Sequence, residues 1–224
     1  MTDDLETPPA ANSIYSAKGA EVEKFRPTFT GDIYDCGEEF AMLVQHPCAL
    51  HRGAELCDSL LAVVVRRAGN KARSRWREHA ISEMPLPELF PDGYWVGDFS
   101  ELRILKASDL VSYKRVAVLS QIGVNLLMQR WVYHCSRVVV PTALYDEQTF
   151  GPFNEAELSL EWVTDYVDAG KSLPDAVHEF HRWIRASDAE GEPSRQSRLA
   201  DRQAASAVRK EMRRQVRTDT GPAA

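Results

Sequence analysis

The feature that most constrains this chain is a change of period. Short β-branched and apolar runs fill the first 140 residues, and helical spacing replaces them after about residue 150. The stretch TFTGDIYDCG reads as a strand and turn, Phe40 to Gln45 (FAMLVQ) as a buried strand, and Leu60 to Arg66 (LLAVVVR) as another. Each run is long enough for a strand and is bounded by polar residues. MPLPELFPDG, with three prolines and a glycine, reads as a loop, and Tyr94–Phe99 and Leu102–Leu105 follow as two short strands. Ser120 caps a predicted helix through Arg130, with Ile122, Leu126 and Leu127 on one side and Gly123 working against it. Val132 to Val140 returns to β character before Pro141. Beyond that point Asn154 and Glu157 have capping-box spacing, and Leu158, Trp162 and Tyr166 recur at helical intervals up to Gly170. A second cap at Ser172 and Asp175 opens a stripe of Val177, Phe180, Trp183 and Ile184. The two segments predict a helical hairpin.

Strands followed by helices place the chain in the α+β class. At 224 residues and 44% apolar, it is long enough to bury a core without disulfides or metals. The expected plan is a disordered leader over 1–24, a small, partly closed β-barrel over 25–150, and the helical hairpin over 151–187 packed on it. A linker and a basic, flexible tail fill 188–224. No run approaches the roughly 18 apolar residues of a membrane span. The polar, acidic start lacks a secretory pattern, so a cytoplasmic address without a membrane partner is expected. Cys36, Cys48, Cys57 and Cys135, irregularly spaced, are expected to be free thiols.

The formal net charge of −6 hides an uneven distribution. Residues 1–60 carry eleven acidic and four basic side chains, whereas 191–224 carry four acidic and eight basic ones. The densest positive segment is RRAGNKARSRWR, in which Arg66, Arg67, Lys71, Arg73, Arg75 and Arg77 surround Trp76. Cations there could neutralise phosphates while the indole stacks on an unpaired base, a combination suited to single-stranded RNA or DNA. The plain alternative is a solvated loop with Trp76 packed on the domain. A second basic stripe, Arg195, Arg198, Arg202, Arg209, Arg213 and Arg217, would line one side of a helix and makes 154–217 a candidate surface for a protein partner.

HPCALHRG follows a predicted buried strand. Its His46, Cys48 and His51, with Cys36 and Cys57 nearby, offer zinc-type donors, but the spacing matches no standard finger. The adopted expectation is no metal and no cofactor, with those five residues as the alternative ligand set. A Cys48 nucleophile activated by either histidine is a further reading, although no acidic partner to orient the base is evident.

Gly31-Asp32-Ile33-Tyr34, then Ala41-Met42-Leu43-Val44, then Ala62-Val63-Val64-Val65 resemble the opening of the MazF/PemK toxin family. Asp98, SELRILKASDL and LSQIGVNLLMQR are similar to that family's closing strands and terminal helix, so the resemblance spans roughly residues 27–130. It implies an SH3-like barrel, a homodimer, and metal-independent cleavage of single-stranded RNA by an arginine after the first strand and a Thr or Ser after the second. This chain departs from the pattern: Asp35 to Phe40 contains no arginine, and the second strand runs into Gln45-His46-Pro47-Cys48.

The expectation is therefore a protein directed at single-stranded RNA. In a catalytic version His46 or His51 would serve as general acid or base on a ribose 2′-hydroxyl, and Arg52 would stabilise charge on the phosphate. The competing expectation is a non-enzymatic interaction protein of a phage or defence locus, gripping its partner with the hairpin and tail. A catalyst needs HPCALHRG beside the basic loop; an interaction protein can leave them apart.

Overall fold

The computed structural model of the protein describes residues 5–52, 55–68, 76 and 81–221. They divide into two compact units, Met1–Val22 with Thr28–Asp146 and Glu23–Pro27 with Glu147–Ala224. The fold is α+β, with a curled half-barrel sheet and C-terminal helices.

The first unit holds strands β1 (Tyr15–Lys18), β2 (Ile33–Asp35), β3 (Phe40–Leu43), β4 (His51–Arg52), β5 (Glu55–Leu56), β6 (Ser59–Arg67), β7 (Glu83–Leu86), β8 (Trp95–Lys106) and β9 (Lys114–Leu119). Seven form one antiparallel sheet in the order β1-β9-β2-β3-β6-β8-β7, while β4 and β5 pair separately. Strand β6 sits between β3 and β8, and its Leu60, Ala62, Val63, Val64 and Val65 are all buried. A strand covered on both faces reads as a continuous apolar run, which is why it was legible.

Three expectations about the first unit's strands need correction. Tyr94–Phe99 and Leu102–Leu105 are a single strand: Val64 pairs with Asp98 but Val63 with Leu102, so three residues of β8 loop out between them. MPLPELFPDG is not all loop, because its first residues lie in β7. Pro85 is tolerated there since β7 is an edge of the sheet. Val132–Val140 is not a strand. Helix α2 (Gln121–Ser136) runs through it until Arg137 turns left-handed at φ 62°. Buried Leu126, Gln129, Arg130 and Tyr133 continue one helical stripe there, so packing overrides the β-propensity of the valines.

From Leu5 on, the leader is also ordered. Its Ile14 is fully buried, and β1 pairs with β9. Ser120 ties this segment to α2: its hydroxyl accepts from Gly123 N–H and donates to the Ser13 carbonyl, while its own N–H donates to the Ile14 carbonyl.

The second unit contains most of α3 (Thr142–Asp168), then α4 (Leu173–Arg185), α5 (Arg195–Arg198) and α6 (Arg202–Thr220). Helix α3 starts well before Asn154 and carries Pro152 in its interior. Asn154 does not cap it; its side chain donates to the Phe150 carbonyl one turn back. Helix α4 has the expected Ser172 cap. The tail is a packed element rather than a flexible one: Leu199, Val208, Met212 and Val216 join Leu158, Trp162, Val163, Tyr166, Phe180 and Ile184 in one core. A row too thin to hold a helix in water suffices once the hairpin covers it. Asp201 caps α6 by accepting from Gln203 and Ala204 N–H.

Candidate functional site

A cleft of about 980 Å³ opens in the first unit, lined by Pro8, Pro9, Lys18, Trp76, Pro87, Glu88, Phe90, Pro91, Gly93 and Tyr94 among others. Its walls come from two stretches of unpromising sequence, the ordered leader and the proline-rich segment after β7. Phe90 is fixed against Phe40 and Trp95, at ring-centroid distances of 4.8 and 5.0 Å. Tyr94 immediately precedes β8, and its carbonyl accepts the N–H of Ala68, which follows β6. Burial raises the pKa of the Tyr94 phenol despite the opposing effect of the nearby Arg130. Lys18 crosses from the other wall, with Nζ 2.8 Å from the Glu88 carbonyl and 4.8 Å from the Tyr15 ring centroid. Glu88 holds a left-handed backbone at φ 55°, unusual outside glycine.

Trp76 is anchored from behind. Arg130 of α2 donates to the Trp76 carbonyl at 2.5 Å and to the Glu83 carbonyl at 3.3 Å, and its guanidinium lies 5.0 Å from the indole centroid. Burial brings the Arg130 pKa down to about 10. Only 8% of Trp76 is exposed, so the indole serves first as a packed anchor and second as a wall of the cleft.

The described cations of the basic segment differ in what they can do. Arg66 donates to Asp98 and Glu83 together, and the Asp98 hydrogen bond, foremost among several influences, raises its pKa. That arginine is committed to the sheet. Arg67 lies against Gly93 at the cleft's edge, where a Cβ would meet its Nε at 2.7 Å, and it pairs with Asp92 in an exposed contact. Such pairs are weak and yield readily to a competing anion. Lys71, Arg73, Arg75 and Arg77 lie outside the described residues.

HPCALHRG forms the short helix α1 (Pro47–Leu50) and strand β4. His46 caps α1, its Nδ1 accepting from Cys48 N–H at 3.3 Å, while its Nε2 is buried without a hydrogen-bond partner. The imidazole therefore plays a structural part. Its Nδ1 is engaged by the backbone and its Nε2 is out of reach of solvent. Cys57 Sγ contacts the Ala49 carbonyl and Cys36 Sγ the Tyr34 carbonyl. Burial raises the Cys36 pKa, with Glu39 and Asp35 adding to it. Cys36, His46, Cys48, His51 and Cys57 do not gather: no group of three or more His, Cys, Asp or Glu among the described residues is arranged to hold a metal ion. The Leu50, Leu56 and Cys57 side chains cluster with Leu60 at the start of β6, whereas the basic segment leaves its far end after Arg67. The eight steps between the first and last of its nine residues, at about 3.3 Å each, put up to roughly 26 Å between the two ends. The catalytic candidates His46, His51 and Arg52 thus stand apart from the Arg66–Trp76 end.

The C-terminal arginines are largely paired within their own unit. Arg195 and Arg198 each bridge Asp188 and Glu211, and Arg209 and Arg213 reach Glu161. Arg202 packs over the Phe150 ring at 4.3 Å. The stripe staples the tail to the hairpin rather than forming a bare cationic face.

Among the described residues, no helix is long and apolar enough to cross a membrane. No family model, no curated protein and no solved structure matches the chain.

Proposed function

We propose that the chain is a non-enzymatic binding protein for single-stranded nucleic acid, with RNA as the foremost ligand, and that the aromatic cleft is its site. The carrying observation is that this cleft, with Trp76, Phe90 and Tyr94 in its walls, opens where the basic segment leaves β6. Aromatic faces accept any base, at roughly 1 to 3 kcal/mol each, and cations beside them meet the connecting phosphates. Lys18 and Arg67 stand in the wall and at the edge, and in sequence Lys71, Arg73, Arg75 and Arg77 flank Trp76 directly. Catalysis by His46, His51 and Arg52 receives no such support, because their segment adjoins the opposite end of β6. Under this reading the resemblance to the MazF/PemK toxins concerns the barrel, and cleavage is not part of this chain's activity.

Labelled single-stranded oligouridine and oligothymidine provide the test, by fluorescence anisotropy across a salt series. Replacing Lys18 and Arg67 together with Ala should flatten the salt dependence by roughly 0.7 in logarithmic slope per lost contact. Tyr94→Leu should weaken binding while leaving the slope nearly unchanged, since stacking is largely insensitive to salt. Wild-type protein that binds neither oligomer at about 50 mM salt, where phosphate contacts are strong, would remove this reading. A second reading, protein–protein association, is favoured by the exposed Leu102 and Ile104 on β8.

A further inference from the structure

Glu88 is out of place in a cleft for a polyanion. It is the only acidic side chain among the described residues that line the cleft, and a carboxylate beside a phosphate backbone is repelled. Its backbone, at φ 55°, is also one that glycine adopts without cost. Other residues stay in that region only where their surroundings over-determine them, and such positions gather at binding sites. Here the surroundings can be named. Pro87 precedes it, Leu89 N–H closes a turn onto the Leu86 carbonyl at 3.4 Å, and Lys18 Nζ donates to the Glu88 carbonyl at 2.8 Å. Lys18 thus holds the backbone and leaves the carboxylate alone. Glu88 is exposed, and among the described residues its side chain takes part in no hydrogen bond or ion pair. Its charge reaches the Tyr15 phenol, whose pKa is raised first by burial, then by Tyr94 and Glu88. The carboxylate is an uncommitted acceptor beside the cleft's aromatic wall.

An acceptor in that position can read a base. A carboxylate takes hydrogen bonds from two donors at once and offers none in return. Guanine alone among the RNA bases presents two adjacent donors on one edge, N1–H and N2–H. Uracil flanks its N3–H with two carbonyl oxygens, and cytosine and adenine place a bare ring nitrogen beside their amino group. Each of those three brings a lone pair against the carboxylate. We propose, resting on the reading of the cleft as a nucleic-acid site, that Glu88 makes it selective for guanine: a guanine stacked on the aromatic wall donates N1–H and N2–H to the two oxygens of Glu88. Such a pair is charge-assisted and bidentate, and therefore stronger than a neutral one. The repulsion between Glu88 and phosphate becomes part of the selection, because a base that cannot offset it is held less tightly than the aromatic and cationic groups alone would allow.

Anisotropy titrations of the full-length protein test this, using labelled oligouridine and the same oligomer with one central guanosine, inosine or adenosine. The guanosine oligomer should bind roughly tenfold more tightly than oligouridine, within the discrimination of a good bidentate pair between side chain and base. Inosine keeps N1–H but lacks the N2 amino group, so it should fall between them. Adenosine should stay nearer to oligouridine than to guanosine. Glu88→Gln, whose amide has a single acceptor oxygen, should bring the guanosine-to-uridine ratio close to one. Glu88→Gly should do the same, and because glycine suits the positive φ its melting temperature should stay near that of wild type, which separates lost selection from lost folding. A wild-type protein that binds oligouridine and does not distinguish guanosine from uridine overturns selection by Glu88 and leaves the cleft in place. One that binds none of the oligomers removes the cleft reading itself, and this inference with it. Equal affinity for guanosine and adenosine assigns the preference to purine stacking, and a guanosine preference that survives Glu88→Gln assigns it to another residue; either result overturns the proposal.

Discussion

Glycine at position 123 looks like a weakness in the sequence, because a glycine inside a helix costs about 1 kcal/mol relative to alanine. The structure supplies a reason for it. A Cβ there would lie 2.2 Å from the carbonyl oxygen of Ile14, in the segment that feeds β1. Backbone rather than a pliable side chain is in the way, so Gly123→Ala, which would stabilise an exposed helix, should here destabilise by about 1 to 3 kcal/mol. Chemical denaturation followed by circular dichroism would measure it, and a neutral or stabilised variant would mean that the leader is not held against α2. The same residue shows what could not be read in advance. Local propensity marked Gly123 as a cost, but the Ile14 carbonyl that makes it necessary lies over a hundred positions away. Lys18, Phe90 and Tyr94 were missed for a related reason. They flank or sit in stretches whose prolines and polar residues hide any period, and only tertiary structure brings them to one cleft. Trp76 stands out within the basic segment, yet nothing in its sequence neighbours announces Arg130, the side chain that anchors it.

At the scale of elements, continuous apolar runs and well-capped helices were the legible part. β6 and α4 fall close to their expected bounds because burial on both faces and a Ser172 cap with Asp175 are local signals. The tail was misjudged because its apolar row of Leu199, Val208, Met212 and Val216 is narrow and its charges are many. A row of that width is unstable alone and adequate against a partner surface, and the sequence does not say that Phe180 and Trp162 provide one. The arginines reinforce the closure through Glu161, Asp188 and Glu211. Helix α6 should therefore be needed for the stability of its unit. Met212 is fully buried, and Met212→Ala should cost about 2 to 5 kcal/mol. Limited proteolysis makes the same point, for the 188–221 region should resist cleavage in wild type and become susceptible in the variant. A Met212→Ala protein with the proteolytic pattern and midpoint of wild type would return the tail to the status of an appendage.

For the whole molecule, the formal charge of −6 means that any polyanion must be held locally, against the average field of the chain. In the second unit Arg26, Arg195, Arg198, Arg209 and Arg213 are paired with neighbouring carboxylates, which weakens that unit's attraction for a polyanion. The proposed site is the Arg67 end of β6, with its aromatic walls. The opposite end carries HPCALHRG, whose His46 is engaged with the backbone at Nδ1 and buried at Nε2. General acid–base catalysis needs the catalytic side chain within hydrogen-bond reach of the proton it moves, directly or through one water. A span of roughly 26 Å along β6 exceeds that reach many times over. If nucleic acid is held at the cleft, a protein with His46, His51 and Arg52 all replaced by Ala should bind oligouridine with the affinity and salt dependence of wild type. Neither protein should shorten a labelled RNA in gel electrophoresis, with chelator or without. A wild-type protein that cuts RNA under those conditions, and loses the activity in the triple variant, would place chemistry at the HPCALHRG end and require that the RNA path run along the half-barrel from one end of β6 to the other.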